Sequence, residues 1–454
     1  MSNNTNSFSK LGFILAAAGS AIGLGNIWRL PALVAQYGGG TFLLQYFIIC
    51  FTIALAVLIA ELALGRYLGD NYLYKAKDKL KQSNKSTLLS IFFPLGGIPL
   101  MLILTFYFVV CGWILIYIYQ TITGGISYNP AITNAEYYGN FFGGLISNTI
   151  SVVFATVLFI LLTAYINYKG LINGIEKANF IMLPALFIIL TAMIIRSLTL
   201  DGALEGVKYI FSVDLSAISK ESFIAALKQS FFSLSLGFGV MVTFSASSRK
   251  EMNLKQSAFY TVLLGAGIGL FTSLLIIPAA VSFGYSLNAG PSLTFITLPN
   301  VFAQLPFGIL FAFLFFLVMA MAALTSTISL YEVGLNSVKY WFNINRNTAN
   351  FILLVFFIIV ASIQANSFTN LSGITIAGKG IFDFSADLAD ILLVVFGGLS
   401  CIFAGYIFNK NEIKNEITNN GKLSFKLYYV WLAFIKVISP LFILYLLYIV
   451  VKSF

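Results

Sequence analysis

The stretch from Ala17 to Pro31, AAGSAIGLGNIWRLP, decides how this chain folds. It lies in an apolar run long enough to cross a membrane, and it begins with residues that favour a helix. From Gly19 onward it contains three glycines, an asparagine, an arginine and a proline. Because an unpaired peptide group in lipid costs several kcal/mol, a helix broken at this depth needs a compensating role.

The composition indicates a protein that lies in a lipid bilayer. Of the 454 residues, 59% are hydrophobic and 9% are charged, whereas soluble proteins carry about 25% charged residues. Apolar runs of roughly twenty residues recur along the whole chain, and they are continuous, which excludes the alternating pattern of a membrane β-barrel. The net charge of +10 forms no basic stripe outside the loops, so no nucleic-acid partner is predicted.

Eleven runs are predicted to cross the membrane as helices. They lie near residues 11–37, 40–67, 90–121, 147–166, 174–196, 224–248, 256–284, 305–341, 348–366, 386–409 and 425–451. Basic residues concentrate in the loops after spans two, six and ten, whereas the loop at 122–146 contains none. The positive-inside rule then predicts a cytoplasmic N-terminus and an external C-terminus.

Span six repeats the unusual composition of span one. Its centre reads SLSLGFG at residues 233–239, with two serines and two glycines. Two interrupted helices at corresponding positions of two five-helix halves indicate a transporter with a binding site at the membrane midplane. Carbonyls exposed by such a break can bind a cation, and the helix N-terminus beyond it can bind a carboxylate. The alternative is close helix packing, which Gly19-x-x-x-Gly23 would also serve.

Four motifs carry a resemblance to a known family. They read GSAIGLGNIWRLP at 19–31, ELALGRY at 61–67, FFSLSLGFG at 231–239 and ALTSTISLYE at 323–332. They resemble the neurotransmitter:sodium symporter family, especially its bacterial amino-acid transporters with the leucine-transporter fold. The resemblance implies a location in the inner membrane of a bacterium. The resemblance implies an all-α polytopic membrane protein, with two inverted five-helix repeats, broken helices one and six, and one extra helix. Within one transporter domain, 1–454, the repeats would span 11–196 and 224–409, and the eleventh helix 425–451.

The resemblance implies two sodium sites beside the break in span one. The first would use the carbonyls of Gly19, Ile22 and Ala322 and the hydroxyls of Thr325 and Ser326. Oxygen ligands suit a hard cation, and carbonyls supply them without a buried charge. For the two hydroxyls the alternative is a hydrogen bond within their own helix. The second, weaker site would use the carbonyl of Ala21, the side chain of Asn26, both oxygens of Ser233 and the carboxylate of the substrate itself.

The second sodium site departs from the family pattern on span seven. Relatives supply an asparagine or aspartate there, and counting back from Pro278 places that position at Gly265. We therefore expect this site to be weak or empty, so that one sodium ion drives each cycle. A neighbouring hydroxyl or a water molecule that replaces the missing oxygen is the alternative.

The substrate site implied by the resemblance suits a neutral amino acid. The amides of Leu24 and Gly25 and the hydroxyl of Tyr107 would bind a carboxylate, and carbonyls around Ala21, Phe232, Ser233 and Ser326 would bind an ammonium group. The side-chain pocket would comprise Ile103, Phe232, Ser235, Phe238, Ser326 and Leu330. Monoamine carriers place an aspartate at the position of Gly23, so the substrate here is expected to bring its own carboxylate.

Both gates depart from the family pattern. The external gate of relatives pairs an arginine with an aspartate over an aromatic ring. Arg29 and Phe232 fit, but Ala386 takes the aligned acidic place, so Asp387 is the predicted partner. At the cytoplasmic gate, Asn4, Ser7 and Tyr340 stand where relatives place an arginine, a tryptophan and an aspartate, so other contacts must close it.

Further positions are interpreted through the same resemblance. Gly174 and Pro184 match a pattern on span five whose local unwinding would open a water path to Thr325. Glu61 and Glu332 are interpreted as members of structural networks rather than as proton relays. A candidate chloride site comprises Tyr46, Gln229 and Ser233. Gly269 is neither the acid of chloride-independent relatives nor the serine of chloride-dependent ones, so chloride dependence stays open.

The predicted function is sodium-coupled symport of a neutral α-amino acid by alternating access. The bulky Ile103 and Leu330 favour aliphatic substrates, and aromatic amino acids are the alternative. A membrane enzyme is not expected, because the chain has no histidine and no clustered pair of intramembrane acids for acid–base chemistry. A substrate sensor on a transporter fold would need a signalling extension, and only three residues follow the last predicted span. The expected partners are an amino acid and the bilayer; the oligomeric state is left open.

Overall fold

Long apolar helices dominate the computed structural model of the chain, which describes residues 7–237, 239–285 and 293–453, without the side chains of 446, 447 and 449–453. Nine helices in these ranges are long and apolar enough to cross a membrane. They are Gly40–Leu68, Thr87–Thr123, Thr149–Tyr168, Leu171–Leu198, Leu254–Ser282, Gly308–Phe342, Arg346–Asn366, Ile381–Ile407 and Tyr428–Tyr445. The last continues into the helix Ser439–Ser453. We number all spans in chain order, so that these are spans two to five and seven to eleven.

Spans one and six are interrupted. Span one is the pair Lys10–Ala21 and Gly25–Gln36, bent by 52°, and span six is the pair Lys220–Ser233 and Val240–Ala246. The backbone between the halves of span six has positive φ at Ser235 (52°), Gly237 (78°) and Gly239 (72°), a conformation that ends a right-handed helix. With span one counted, ten spans in the described ranges are long and apolar enough to cross a membrane. The shorter broken pair of span six would be the eleventh, which is roughly consistent with the predicted count.

Shorter elements connect the spans. The helices are Tyr72–Gln82, Ala135–Ser147, Ala203–Phe211, Leu215–Ala217, Leu293–Ala303 and Lys410–Thr418. Two short strands, Thr375–Ile376 and Lys379–Gly380, pair in antiparallel fashion just before span ten. Span ten begins at Ile381, five residues earlier than the sequence predicts, and this difference bears on the gate described below.

The first half of span one lies at the centre of the bundle, packed against spans five, seven and eight. Two glycines of span one, Gly12 and Gly19, allow span five to pack closely against it. A methyl group at Gly12 would lie 1.9 Å from Glu176 Oε1, and one at Gly19 would lie 1.9 Å from Asn179 Oδ1. These glycines therefore place two polar side chains of span five directly against span one.

Candidate functional site

The break in span one leaves backbone carbonyl groups on one side and backbone N–H groups on the other without hydrogen bonds inside the helix. The first half ends at Ala21, and the capping bond runs from Ile22 N to Ala18 O at 2.7 Å. The carbonyls that follow Ala18 accept no hydrogen bond from a further helical turn, because the helix ends there. Beyond the break, Leu24 N donates to Tyr107 Oη at 2.9 Å. One side of the break therefore offers carbonyls, and the other offers amides next to a phenol.

A small cavity of about 20 Å³ lies at this break. Its lining is Ser20, Ala21, Gly23, Gly25, Ile103, Tyr107, Phe232, Ser233, Ser235, Ser326 and Leu330. This list contains nine of the eleven residues predicted to bind substrate; Leu24 contributes its amide to Tyr107, and Phe238 lies outside the described residues. The volume suffices for about one water molecule, so the side chains must move apart to admit a larger ligand.

The polarity of the cavity comes from hydroxyl and backbone groups alone. None of the described residues that line it is charged. Gly23 faces it closely, because a methyl group there would lie 2.5 Å from Ser326 Oγ and 3.1 Å from Tyr107 Oη. A ligand of this cavity would therefore meet no charged side chain from the described lining.

Three serines join the two broken spans and span eight. Ser235 Oγ donates to Ser20 O at 2.8 Å, and Ser326 Oγ donates to the same carbonyl at 3.1 Å. Ser20 Oγ in turn donates to Ser235 Oγ at 3.0 Å. Ser20 is not among the predicted site residues, although it is the only hydroxyl residue in the stretch from Ala17 to Pro31. Ser235, predicted to face a substrate side chain, binds the backbone of span one in this structure.

The residues predicted for the first sodium site meet between spans one and eight. Thr325 Oγ1 donates to Ala322 O at 3.0 Å, which is the expected bond within its own helix, and also to Ile22 O at 3.4 Å. A methyl group at Gly19 would lie 3.4 Å from Thr325 Cβ. The buried cluster therefore consists of carbonyl and hydroxyl oxygens from two spans, a neutral donor set that suits a hard cation such as sodium.

The second predicted sodium site is arranged differently. Asn26 Nδ2 donates to Ala21 O at 2.7 Å and to Gly265 O at 3.2 Å. Gly265 lies at the predicted position, because a methyl group there would be 3.3 Å from Ala21 Cβ and 3.8 Å from Ser233 O. The Asn26 amide nitrogen thus links the two carbonyls, and Asn26 Oδ1 is buried without a hydrogen-bond partner among the described residues.

The predicted pairing of Arg29 with Asp387 is wrong. Arg29 instead forms a bidentate ion pair with Asp390, with Nη1–Oδ1 and Nη2–Oδ2 distances of 3.0 and 2.6 Å. Asp387 pairs with Lys379 and is 48% exposed. Since span ten begins at Ile381, the two aspartates lie about one helical turn apart, and Asp390 is the deeper one. The Arg29 Cζ atom also lies 5.4 Å from the centroid of the Phe232 ring, as the resemblance predicts.

Aromatic and hydrogen-bonded contacts surround the start of span one. The Phe8 ring packs edge-on against Phe13 and Phe244, with centroids 6.1 and 5.4 Å apart. Ser9 Oγ donates to Glu176 Oε1 at 2.6 Å. Tyr340, at the position of the missing aspartate, packs against Tyr74 at 4.7 Å, while Asn4 lies outside the described residues. These contacts involve the segments for which the resemblance implies an inner salt bridge, and closure of the inner gate by other contacts stays a prediction.

Glu61 and Glu332, the acids interpreted above as members of structural networks, both have specific partners. Glu61 Oε1 accepts from Gly237 N at 2.9 Å and from Ser400 Oγ at 3.4 Å, so it contacts the break in span six. Glu332 forms a bidentate pair with Arg346 at 2.7 and 2.6 Å. Glu61 Oε2 is buried without a hydrogen-bond partner among the described residues, and the interpretation of both acids as members of structural networks stays a prediction.

Two of the three candidate chloride ligands lie together. Tyr46 Oη and Ser233 Oγ are 2.7 Å apart, whereas Gln229 Nε2 donates to Gly25 O at 2.8 Å. A methyl group at Gly269 would lie 2.1 Å from Leu30 Cδ2, so neither a serine nor an acid fits there without movement of Leu30. Chloride dependence therefore stays open.

Comparisons with known proteins agree with this architecture. The sequence profile of the sodium:neurotransmitter symporter family matches residues 5–141 and 136–454. The chain is 34% identical to an uncharacterized sodium-dependent transporter of Bacillus subtilis, YhdH, over 96% of this chain and 95% of that one. It is 35% identical to an uncharacterized sodium-dependent transporter of Haemophilus influenzae, over 96% of each chain. The crystal structure of MhsT in complex with L-phenylalanine matches with a TM-score of 0.87 and 33% identity, over 97% of this chain and 98% of that one.

Proposed function

Because the chain belongs to the sodium:neurotransmitter symporter family and is a sodium-dependent membrane symporter, we propose that it takes up a neutral, aliphatic α-amino acid together with sodium. The cavity at the breaks of spans one and six is the proposed substrate site. The N-terminus is then cytoplasmic and the C-terminus external, as the loop charges predict. Transport proceeds by alternate opening of this cavity to the two sides of the membrane.

The observation that carries the proposal is the hydrogen bond between Leu24 N and Tyr107 Oη beside an uncharged cavity. An amide at a helix N-terminus and a phenol are hydrogen-bond donors suited to a carboxylate. The carbonyls that end the first half of span one suit an ammonium group. An α-amino acid carries both groups and no net charge, whereas an amine without a carboxylate would leave its charge unpaired among the described lining residues.

The chemistry of the side-chain pocket favours an aliphatic substrate. Ile103 and Leu330 are both buried and line the cavity, and each presents branched apolar carbons. A second candidate is an aromatic amino acid, favoured because the similar MhsT structure contains L-phenylalanine. The two candidates differ in the space required next to these two side chains.

Radiolabelled uptake into proteoliposomes tests the proposed function. We expect accumulation of leucine, valine, alanine or methionine with an inward sodium gradient, and none when potassium replaces sodium. Faster uptake of phenylalanine or tryptophan would favour the second candidate. Equal accumulation without sodium, or no transport of any amino acid, would contradict the proposal.

The external gate is the ion pair of Arg29 and Asp390 above Phe232. We expect Asp390→Asn to speed substrate release to the outside by about tenfold, because it leaves a partly buried arginine without its charged partner. The side chain of Arg29 is 34% exposed, so solvent keeps the effect below that of a fully buried pair.

Asp387→Asn is the matched control for this gate prediction, since it removes an aspartate one turn away that binds Lys379. Dissociation of labelled substrate from the purified protein measures both variants. If substrate dissociates from Asp390→Asn at the wild-type rate, or if dissociation is faster only from Asp387→Asn, the gate is formed by another contact.

One sodium ion is proposed to drive each cycle, because Gly265 supplies no side-chain oxygen and Asn26 links the two nearby carbonyls. We expect initial uptake to depend on sodium with a Hill coefficient near one. Movement of one charge across 100 mV yields about 2.3 kcal/mol, and a tenfold gradient adds about 1.4 kcal/mol. Together they support roughly 500-fold accumulation of a neutral substrate.

The Gly265→Asn variant provides the comparison, since it would restore the oxygen that relatives have. It should steepen the sodium dependence or raise the sodium affinity. Two sodium ions counted per amino acid in the wild type, by parallel flux of labelled sodium and substrate, would show that another oxygen completes the second site.

A further inference from the structure

Asn179 on span five carries an oxygen for which the resemblance gives no role. Its side chain is completely buried, and Nδ2 donates to Ile175 O one turn earlier at 2.9 Å. Oδ1 is buried without a hydrogen-bond partner among the described residues. A buried amide oxygen without a hydrogen-bond partner destabilises the folded protein, so its position calls for a physical reason.

The bond to Ile175 determines which way the amide points. If the amide were reversed, Oδ1 would face the carbonyl oxygen of Ile175 and the two acceptors would repel each other. Oδ1 therefore faces the other way, toward the backbone of span one at Gly19. The absence of a side chain at Gly19 is what allows this close approach.

The same glycine belongs to the first proposed sodium site. A methyl group at Gly19 would have two close neighbours, Asn179 Oδ1 at 1.9 Å and Thr325 Cβ at 3.4 Å. The unpaired oxygen and Thr325 Cβ therefore both lie near the same side of Gly19, where span five packs against the break. An amide oxygen is a neutral, hard ligand of the same kind as the other oxygens of the site.

We propose that Asn179 Oδ1 is a further oxygen ligand of the sodium ion held by span one and span eight. The inference rests on the sodium site proposed above. It gives span five a direct part in sodium binding, in addition to its packing against span one. Loosening of span five, which carries Pro184 inside its helix, would then withdraw this ligand and promote sodium release.

A packing role is the competing explanation, because a glycine Cα–H group can contact an amide oxygen between membrane helices. The two roles predict different measurements. Loss of packing lowers the melting temperature of the protein in potassium chloride and leaves the sodium concentration for half-maximal stabilisation unchanged. Loss of a ligand raises that concentration.

The chain offers a closely matched control in Asn167 on span four. Asn167 is also completely buried, its Nδ2 donates to Thr163 O one turn earlier at 3.0 Å, and its Oδ1 is likewise unpartnered. Removal of its side-chain amide should therefore have a similar effect on packing, without an effect on sodium.

The experiment measures the melting temperature of purified protein against sodium concentration, with potassium chloride replacing sodium chloride and no substrate present. We expect Asn179→Ala and the similarly sized Asn179→Leu to raise the half-maximal sodium concentration about tenfold, a loss of about 1.4 kcal/mol in binding. For Asn179→Asp, which keeps an oxygen at this position, we expect a half-maximal sodium concentration at or below that of the wild type. For Asn167→Ala we expect the wild-type value.

Two results would overturn the inference, and only the second would also overturn the proposed sodium site. A wild-type concentration in Asn179→Leu or Asn179→Ala would show that Asn179 only packs, and would leave the sodium site intact. No stabilisation of the wild-type protein by sodium would remove the proposed sodium site together with the role of Asn179.

Discussion

Thr325→Ala and Ser326→Ala are each expected to abolish sodium-driven accumulation while the protein still folds. Thr325 Oγ1 reaches carbonyls of both span eight and span one, and Ser326 Oγ reaches Ser20 O. Both hydroxyls are buried, so solvent is poorly placed to replace a lost ligand of a desolvated cation. The loss should therefore appear as a sodium affinity too weak to couple transport, rather than as a small change in rate.

Thr327→Ala is the control for these two variants. Thr327 lies on the same helix and is equally buried, but its hydroxyl contacts Thr163 Oγ1 at 3.1 Å and Leu324 O at 3.2 Å. Proteoliposome uptake across a range of sodium concentrations measures all three variants, and circular dichroism checks their folding. Wild-type uptake and sodium affinity in both Thr325→Ala and Ser326→Ala would rule out the first sodium site as drawn.

Tyr107→Phe is expected to weaken substrate binding by about 1.5–3 kcal/mol, the range for a hydrogen bond to a charged group. This corresponds to a roughly 10- to 150-fold increase in the dissociation constant. The phenol lies 2.9 Å from Leu24 N at the start of the second half of span one. Removal of its hydroxyl would take one donor from the proposed carboxylate site and leave the ring in place.

Tyr117→Phe removes a comparable hydrogen bond on the same span, because Tyr117 Oη donates to Phe295 O at 2.6 Å. Tyr117 does not line the central cavity, so its substitution should leave the dissociation constant unchanged. Titration of substrate against both purified variants measures the difference. If Tyr107→Phe binds substrate as the wild type does, the tyrosine serves packing alone.

Prediction from the sequence succeeded where the signal was local. The breaks in spans one and six could be predicted, because glycines and polar residues in an apolar run conflict with helix continuity in lipid. The position of Gly265 beside the second sodium site could also be predicted, because residue spacing along a regular helix is fixed and could be counted back from Pro278. The pairing of Arg29 could not, because Asp387 and Asp390 lie on one helix in similar sequence contexts. Their depth depends on where span ten begins.

The sequence by itself determined the membrane class, the positions of the spans and breaks, and most of the residues that line the central cavity. Only the tertiary structure decided which oxygens meet. Ser20, Ser235 and Ser326 come from three spans far apart in the chain, and their bonds to one another depend on how those spans cross. Asn179 and Gly19 are likewise brought together by packing between helices. Hydrophobic patterns involve residues that are near one another in the sequence. A binding site depends on distances between chain segments that are far apart in the sequence, which no local pattern encodes.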